Sequence, residues 1–405
     1  MHFPTTSQLK AALIFSLFAS AVFCRAQSPK DLVHAAFASR DVVKSAKLIV
    51  QSAHRNFDSQ GAYPLTRLET AFGSQPDVNG GEDLTLFQPI DIFNKTRFGK
   101  AAGRAGMSQA EAGLRQTYID VQNDVMMAFA NWTNAIRLEQ NANAQLDIAK
   151  TLQTVAAKKV ELRAIPELQK VRADLEVDKQ GQVVIDRKAG AEAAKVMLIQ
   201  ALGSDFATFD QRTVDGYDDQ LIKQTQVELT RPDLLAIHAD VLAARADSGL
   251  AKGGSLPDLE LQLRRSPWSS GQEQYGARLQ FVVPLWDHGA SRGKAAASDL
   301  KAKASMAQYS DLLKRANAEV KAAEIQLAAA TKSVMAYSKL VEYAKLFVEK
   351  SQRGFDLGAS TIIDVLDARR ALSDAMDSLA AAQLAKDLAI TAGLKSRGQL
   401  LEEPK

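Results

Sequence analysis

The chain is written twice. At a period of about 195 residues, four landmarks recur in the same order, a spacing far longer than that of solenoid repeats. Pro64 opens PLTRLETAFG and Pro257 opens PDLELQLR. QPIDIFNKTR, with Pro89 and Arg97, answers VPLWDHGASR, with Pro284 and Arg292, at identical internal spacing. VRADL around Arg172 answers DARRAL around Arg369, and Leu202-Gly203 answers the segment ending at Gly398. The fold is therefore expected to contain two copies of one structural repeat, residues 27–210 and 211–405. Each reads as helix, strand, loop, strand, very long helix, turn, long helix. This places β-hairpins at 63–90 and 256–285 and helical hairpins at 95–203 and 288–398. The opening helix has Ser28 as N-cap, Pro29 at its first position and Asp31 in its first turn; its counterpart begins near Thr230 and Pro232.

The helices narrow the choice further. From about Lys100 to Val160, and from about Gly293 to Gln352, there is no proline. At 1.5 Å per residue each run would extend roughly 90 Å, so each needs a special packing partner. The pattern supplies one. Leu114, Tyr118, Val121, Val125, Ala128, Trp132, Ala135 and Ala142 fall on steps of three, four or seven. The second run repeats this from Leu313 through Ala316, Val320 and Ala323 to Val348, and the returning helix from Val365 through Leu372 to Ala382. This is the heptad spacing of coiled-coil packing, with alanines permitting close approach.

The strands alternate with period two. Leu259, Leu261 and Leu263 point one way, and Glu260, Gln262 and Arg264 the other. Tyr275, Ala277, Leu279, Phe281 and Val283 share a face opposite Gly276, Arg278 and Gln280. Leu68, Thr70 and Phe72 oppose Arg67 and Glu69. The strands have the length a tilted membrane strand needs, and the polar segments 74–83 and 265–274 suit exposed tips. Ordinary half-buried hairpins would look the same. Four strands cannot close a barrel within one chain, whereas three chains would supply twelve strands and a dozen helical rods.

The first 26 residues read as a cleaved secretion signal: Lys10, the apolar stretch Ala11 to Phe23, then Cys24-Arg25-Ala26. An uncleaved anchor or lipidation at Cys24, the only cysteine, are the alternatives. Aromatics are only 6% of residues and the formal charge is +3, which argues against a nucleic-acid or acidic-lipid binder. The histidines His2, His34, His54, His238 and His288 lack ligand spacing, and no nucleophile or metal motif occurs. Gly289, Gly293 and Lys294 have the wrong spacing for a phosphate loop, and Ala295 replaces its hydroxyl. No catalytic residue, metal or cofactor is expected.

PLWDHGASRGKAAAS (284–298), a helix of some seventy residues and then RGFDLGASTIIDVLDARRALSDA resemble the TolC-like outer-membrane efflux proteins. QPIDIF, VRADLEV and QALG in the first half resemble the family's other repeat. The resemblance implies a mainly α fold with a small β part. Three chains would form a twelve-stranded β-barrel in the outer membrane, continued by an α-helical tunnel through the periplasm. It also implies a homotrimer partnered by outer-membrane lipid, a periplasmic adaptor and an inner-membrane pump, acting as a passive export duct without enzymatic activity. A soluble periplasmic coiled-coil scaffold or adaptor is the alternative.

The turn from Gly354 to Thr361 is the candidate partner contact. Gly358 supplies a permissive backbone, Ser360 or Thr361 caps the returning helix, and Phe355 lies within the turn; the resemblance places adaptor contact at this tip. Asp364 and Asp367, three apart on one helix face, would form carboxylate rings in a trimer that select cations and gate the pore. Their other reading is helix-dipole stabilisation, with Asp367 paired to Arg369 or Arg370. Arg163, Arg172 and Arg369 are candidates for salt links that hold the tip shut. Trp268 and Trp286 would mark membrane boundaries, or simply pack. The first repeat's turn, Ala164-Ile165-Pro166, lacks the glycine of the second, and little chain remains after Gly398 for a collar.

Overall fold

The computed structural model describes residues 28–60, 62–75, 78–203, 227, 231–267 and 273–403. The leader, Cys24 and Trp268 lie outside them. The element order is α1 (Pro29–Ser39), α2 (Asp41–Gln60), β1 (Arg67–Gln75), β2 (Val78–Ile90), α3 (Thr96–Glu161), α4 (Glu167–Leu202), α5 (Pro232–Gly253), β3 (Asp258–Pro267), β4 (Glu273–Val282), α6 (Ala290–Asp356) and α7 (Ile362–Ser396). The duplication is visible in the lengths: α3 and α6 have 66 and 67 residues, α4 and α7 have 36 and 35. It is sharper in the backbone. Asn94 and Gly289, Arg163 and Gly358, and Gly203 and Gly398 all have positive φ, and each pair is 195 positions apart.

The opening segment of the first repeat is two helices. Ser28 forms a capping box with Asp31 ahead of Pro29, but at Arg40 the backbone is extended (φ −69°, ψ 126°) and α1 ends. Arg40 donates instead to Asp124, at 3.0 Å.

Contacts divide the chain into two compact units, each drawing matching portions from both repeats. One comprises residues 42–117 and 226–318 and holds the sheet. Its strands run antiparallel in the order β1-β2-β3-β4, so the hairpins of the two repeats pair side by side through β2 and β3. Lys95 ties the neighbouring segment to β3, donating to Leu256 O at 2.8 Å and Asp258 at 2.9 Å. Asp91 accepts from the backbone N–H groups of Lys95 and Thr96, capping α3, as Asp287 accepts from those of Gly289 and Ser291 ahead of α6. Gly249 in α5 admits the ring of Phe98: a methyl group there would lie 2.1 Å from Phe98 Cδ1.

The other unit comprises residues up to 41, 118–225 and 319–405. Leu32, Val33, Ala36 and Phe37 of α1 are buried, and Phe37 meets Tyr118 edge-on at 4.8 Å. Trp132, Ile119 and Met126 of α3 are fully buried. Gln122 is buried with both amide ends satisfied, donating to Gln399 O and accepting from Leu401 N–H, so the chain end is stitched onto α3. Along α6 the buried positions include Ala295, Ala302, Ala316, Ala323, Ala330, Ala344 and Ser351, all on one seven-residue grid. This is the narrow small-residue seam the heptads predict. Around it Leu300, Met306, Ile325, Met335 and Tyr343 remain exposed.

Candidate functional site: the sheet faces and the helical turns

Strand register decides which side chains share a face. Leu68, Leu86, Leu263 and Ala277 form one continuous row across all four strands. On the same face lie Thr70, Leu84, Arg265 and Tyr275, then Gln88 with Leu261 and Leu279, and Leu259 with Ile90 and Phe281. The opposite face carries the row Arg67, Phe87, Gln262 and Arg278, the row Glu69, Thr85, Arg264 and Gly276, and Glu260 with Gln280. One face is thus mainly apolar, interrupted by Gln88 and Arg265, and the other mainly polar, in register through both repeats. Past β4, Val283, Leu285 and Trp286 are exposed, Trp286 at 82%.

Both helical hairpins turn through one hydrogen-bond pattern. At the end of α6, Gly358 N–H donates to Phe355 O and Ala359 N–H to Gly354 O. This is a Schellman cap with Gly358 in the left-handed conformation (φ 76°). At the end of α3, Arg163 N–H donates to Val160 O and Ala164 N–H to Lys159 O, with Arg163 itself at φ 56°. The first turn therefore keeps the geometry without the glycine, although a side chain in this conformation costs about 1–2 kcal/mol.

The second turn is the better braced. Gly354 faces Ser360, whose hydroxyl would lie 2.7 Å from an added Cβ and which donates to Ser351 O. Thr361 and Asp364 form a capping box: Asp364 accepts from the Thr361 N–H and hydroxyl, both at 2.7 Å. The Thr361 hydroxyl and N–H hold the Asp364 carboxyl below its ordinary value of 3.8. Phe355 is 3% exposed, set among Leu152, Ala156, Ala173, Ile362, Val365 and Leu366. It supports the turn from within, while Gly358 and Thr361 lie at the surface.

The charged candidates separate. Asp367 pairs with Arg370 at 3.4 Å, both exposed, and not with Arg369. Arg369 is buried and donates to Ile148 O at 2.7 Å, with Nε and Nη2 unpartnered. Burial lowers its pKa to about 10, and the Glu176 carboxylate pulls the other way. Arg163 and Arg172 form no ion pair among the described residues. The structure does not bring the three arginines into one set of salt links.

Sequence reasoning missed three residues here. Lys159 donates from Nζ to Phe355 O and sits 4.1 Å from the Phe355 ring centroid, fastening the first turn to the second. Leu162 and Leu357 are 79% and 85% exposed, immediately before the left-handed residue of their respective turns. Their matching positions in the duplication were the available signal. Among the described residues, no cluster of three or more His, Cys, Asp or Glu is arranged to hold a metal ion, and no helix is long and apolar enough to cross a membrane.

A solved structure of CusC matches 92% of this chain and 92% of its own, with a TM-score of 0.79 at 18% identity. The fold is that of the TolC-like outer-membrane efflux proteins. Sequence comparison agrees: residues 225–392 match the family described as outer membrane efflux protein. The solvent efflux pump outer membrane protein SrpC of Pseudomonas putida is 26% identical over 164 residues, 38% of this chain and 35% of that protein. Outer membrane protein TolC of Vibrio cholerae is 29% identical over 212 residues, 47% of this chain and 46% of that protein. The aligned stretches thus span between a third and a half of these two TolC-like relatives. The resemblance read from 284–298 and the following helical hairpin is borne out.

Proposed function

We propose that this chain is one subunit of a homotrimeric export channel of the outer membrane, reaching into the periplasm and acting as a passive duct without catalytic chemistry. The observation that carries this reading is the sheet. One face is mainly apolar across both repeats, with Gln88 and Arg265 as its polar exceptions, and the other mainly polar, which is the alternation of a strand set between lipid and water. β1 and β4 pair on one side only among the described residues, and open edges do not persist in a bilayer. Three copies closing edge to edge would give twelve strands. The exposed apolar side chains flanking the α6 seam support assembly with further copies, since neighbouring helices would cover them.

Directional transport would then come from an energised inner-membrane pump through a periplasmic adaptor. We infer that the adaptor meets the turn 354–361, with Gly358, Ser360, Thr361 and the exposed Leu357 at the contact, and that Asp364 and Asp367 ring the narrow end. A test begins with detergent extraction of outer membranes, mass determination and single-channel recording. A membrane-embedded trimer with discrete conductance is the expected result. A soluble species without conductance would leave the periplasmic scaffold as the account.

A further inference from the structure

The polar face of the sheet holds its basic side chains by different means. Its described rows carry Arg67, Arg264 and Arg278 against Glu69 and Glu260. Arg67 pairs with Glu260 at 3.5 Å and lies 5.4 Å from the Phe87 ring centroid. Glu69 and Arg264 share a row with Thr85 between them. At the end of the face, Asp258 is paired to Lys95.

Arg278 is held by neutral groups. Its Nε and Nη2 donate to Gln262 Oε1 at 3.1 and 2.5 Å, and Nη2 also reaches Gln280 Oε1 at 3.4 Å. Gln262, 6% exposed, donates in turn to Gln280 Oε1 at 2.5 Å. Two amide oxygens therefore fix the guanidinium in place without cancelling its charge, and among the described residues Nη1 keeps both its N–H groups for another acceptor. Amide dipoles that orient a cation while leaving it a net cation make an anion station, not a salt bridge.

We propose that Arg278 forms, with its two symmetry copies, a cationic ring on the water-facing wall of the barrel that attracts small anions and the carboxylate or phosphate groups of passing solutes. The inference rests on the channel reading and deepens it. The barrel would favour anions, in opposition to the carboxylates at the helical tip. A fixed ring charge raises the local concentration of its counter-ion and so biases permeability.

The test is the reversal potential of single channels in a potassium chloride gradient. Arg278→Gln, which removes all three charges of the ring, is expected to lower the chloride-to-potassium permeability ratio about sevenfold or more, since even one unit charge at roughly 7 Å in a water-like medium shifts the occupancy of each ion about threefold, in opposite directions. Arg278→Lys should preserve the ratio. Gln280→Glu, which leaves Arg278 in place and sets a carboxylate beside it, should lower the ratio to a similar extent even if the Arg278→Gln trimer fails to assemble. Conducting Arg278→Gln or Gln280→Glu channels with an unchanged ratio would overturn the ring. Absence of conductance from the unaltered protein would overturn the channel reading itself.

Discussion

At the end of α3 the chain turns on Arg163, and at the end of α6 on Gly358, with the same pair of capping hydrogen bonds at each. Beyond that backbone the two turns diverge. The second has Gly354 closed against Ser360, a buried Phe355 and a capping box at Thr361. The first has Lys159, a half-buried Val160, and Pro166 as an N-cap that offers no side-chain bond. Duplication preserved the bend and let the means of holding it separate. One turn carries its own cap and a buried aromatic that packs on both hairpins. The other is held partly through Lys159, by a neighbour.

The largest test of this asymmetry is truncation of the aromatic. Phe355→Ala should reduce the local opening free energy of the α6–α7 tip by about 3–5 kcal/mol, the usual cost of emptying such a site. Val160→Ala, at the matching position, should cost about 1 kcal/mol or less, since less volume is buried. Native-state hydrogen exchange of the two tips would read both, and equal losses would show that the turns are braced alike.

Exchanging the left-handed residues sharpens the comparison. Gly358→Ala should destabilise its tip by about 1 kcal/mol, and Arg163→Gly should stabilise its own by up to a similar amount. Should Arg163→Gly instead weaken the first turn, the arginine side chain would be holding something that one chain does not display, such as a neighbouring subunit.

The smallest effect belongs to the cap. Because the folded Asp364 carboxyl sits below its ordinary 3.8, its stabilising bonds are present above that value and disappear as pH falls through the lowered folded value. The difference in exchange protection between the natural protein and Asp364→Asn should be full at neutral pH and close in strong acid. A difference independent of pH would remove the ionised carboxylate from the cap.

Much of this architecture was open to reading because its signals are local and periodic. Ser28, Pro29 and Asp31 announce α1 by capping chemistry alone, and the alternation from Leu259 to Leu263 separates the two faces of β3. The heptads place the buried seam of α6. What escaped depends on neighbours distant in sequence. The pairing of β2 with β3 joins hairpins from different repeats, and nothing within either hairpin specifies it. Arg369 and Arg172 look alike in the sequence, yet one is buried against the Ile148 carbonyl and the other is half-exposed. Lys159 reads as a surface lysine until Phe355 is placed beneath it. Arg163 in a left-handed conformation could not be inferred, because residue preference argues against it.

The β2–β3 ladder, which sets Leu84 opposite Arg265, also fixes a schedule. A chain emerging from its amino terminus exposes the first hairpin long before its ladder partner has been made, and closing so distant a pair is slow. Throughout that interval β2 presents an unpaired edge able to join the corresponding strand of another nascent copy. Loss of any factor that shields unpaired strand edges is therefore expected to harm the biogenesis of this protein before it harms that of proteins whose strands pair only with sequence neighbours.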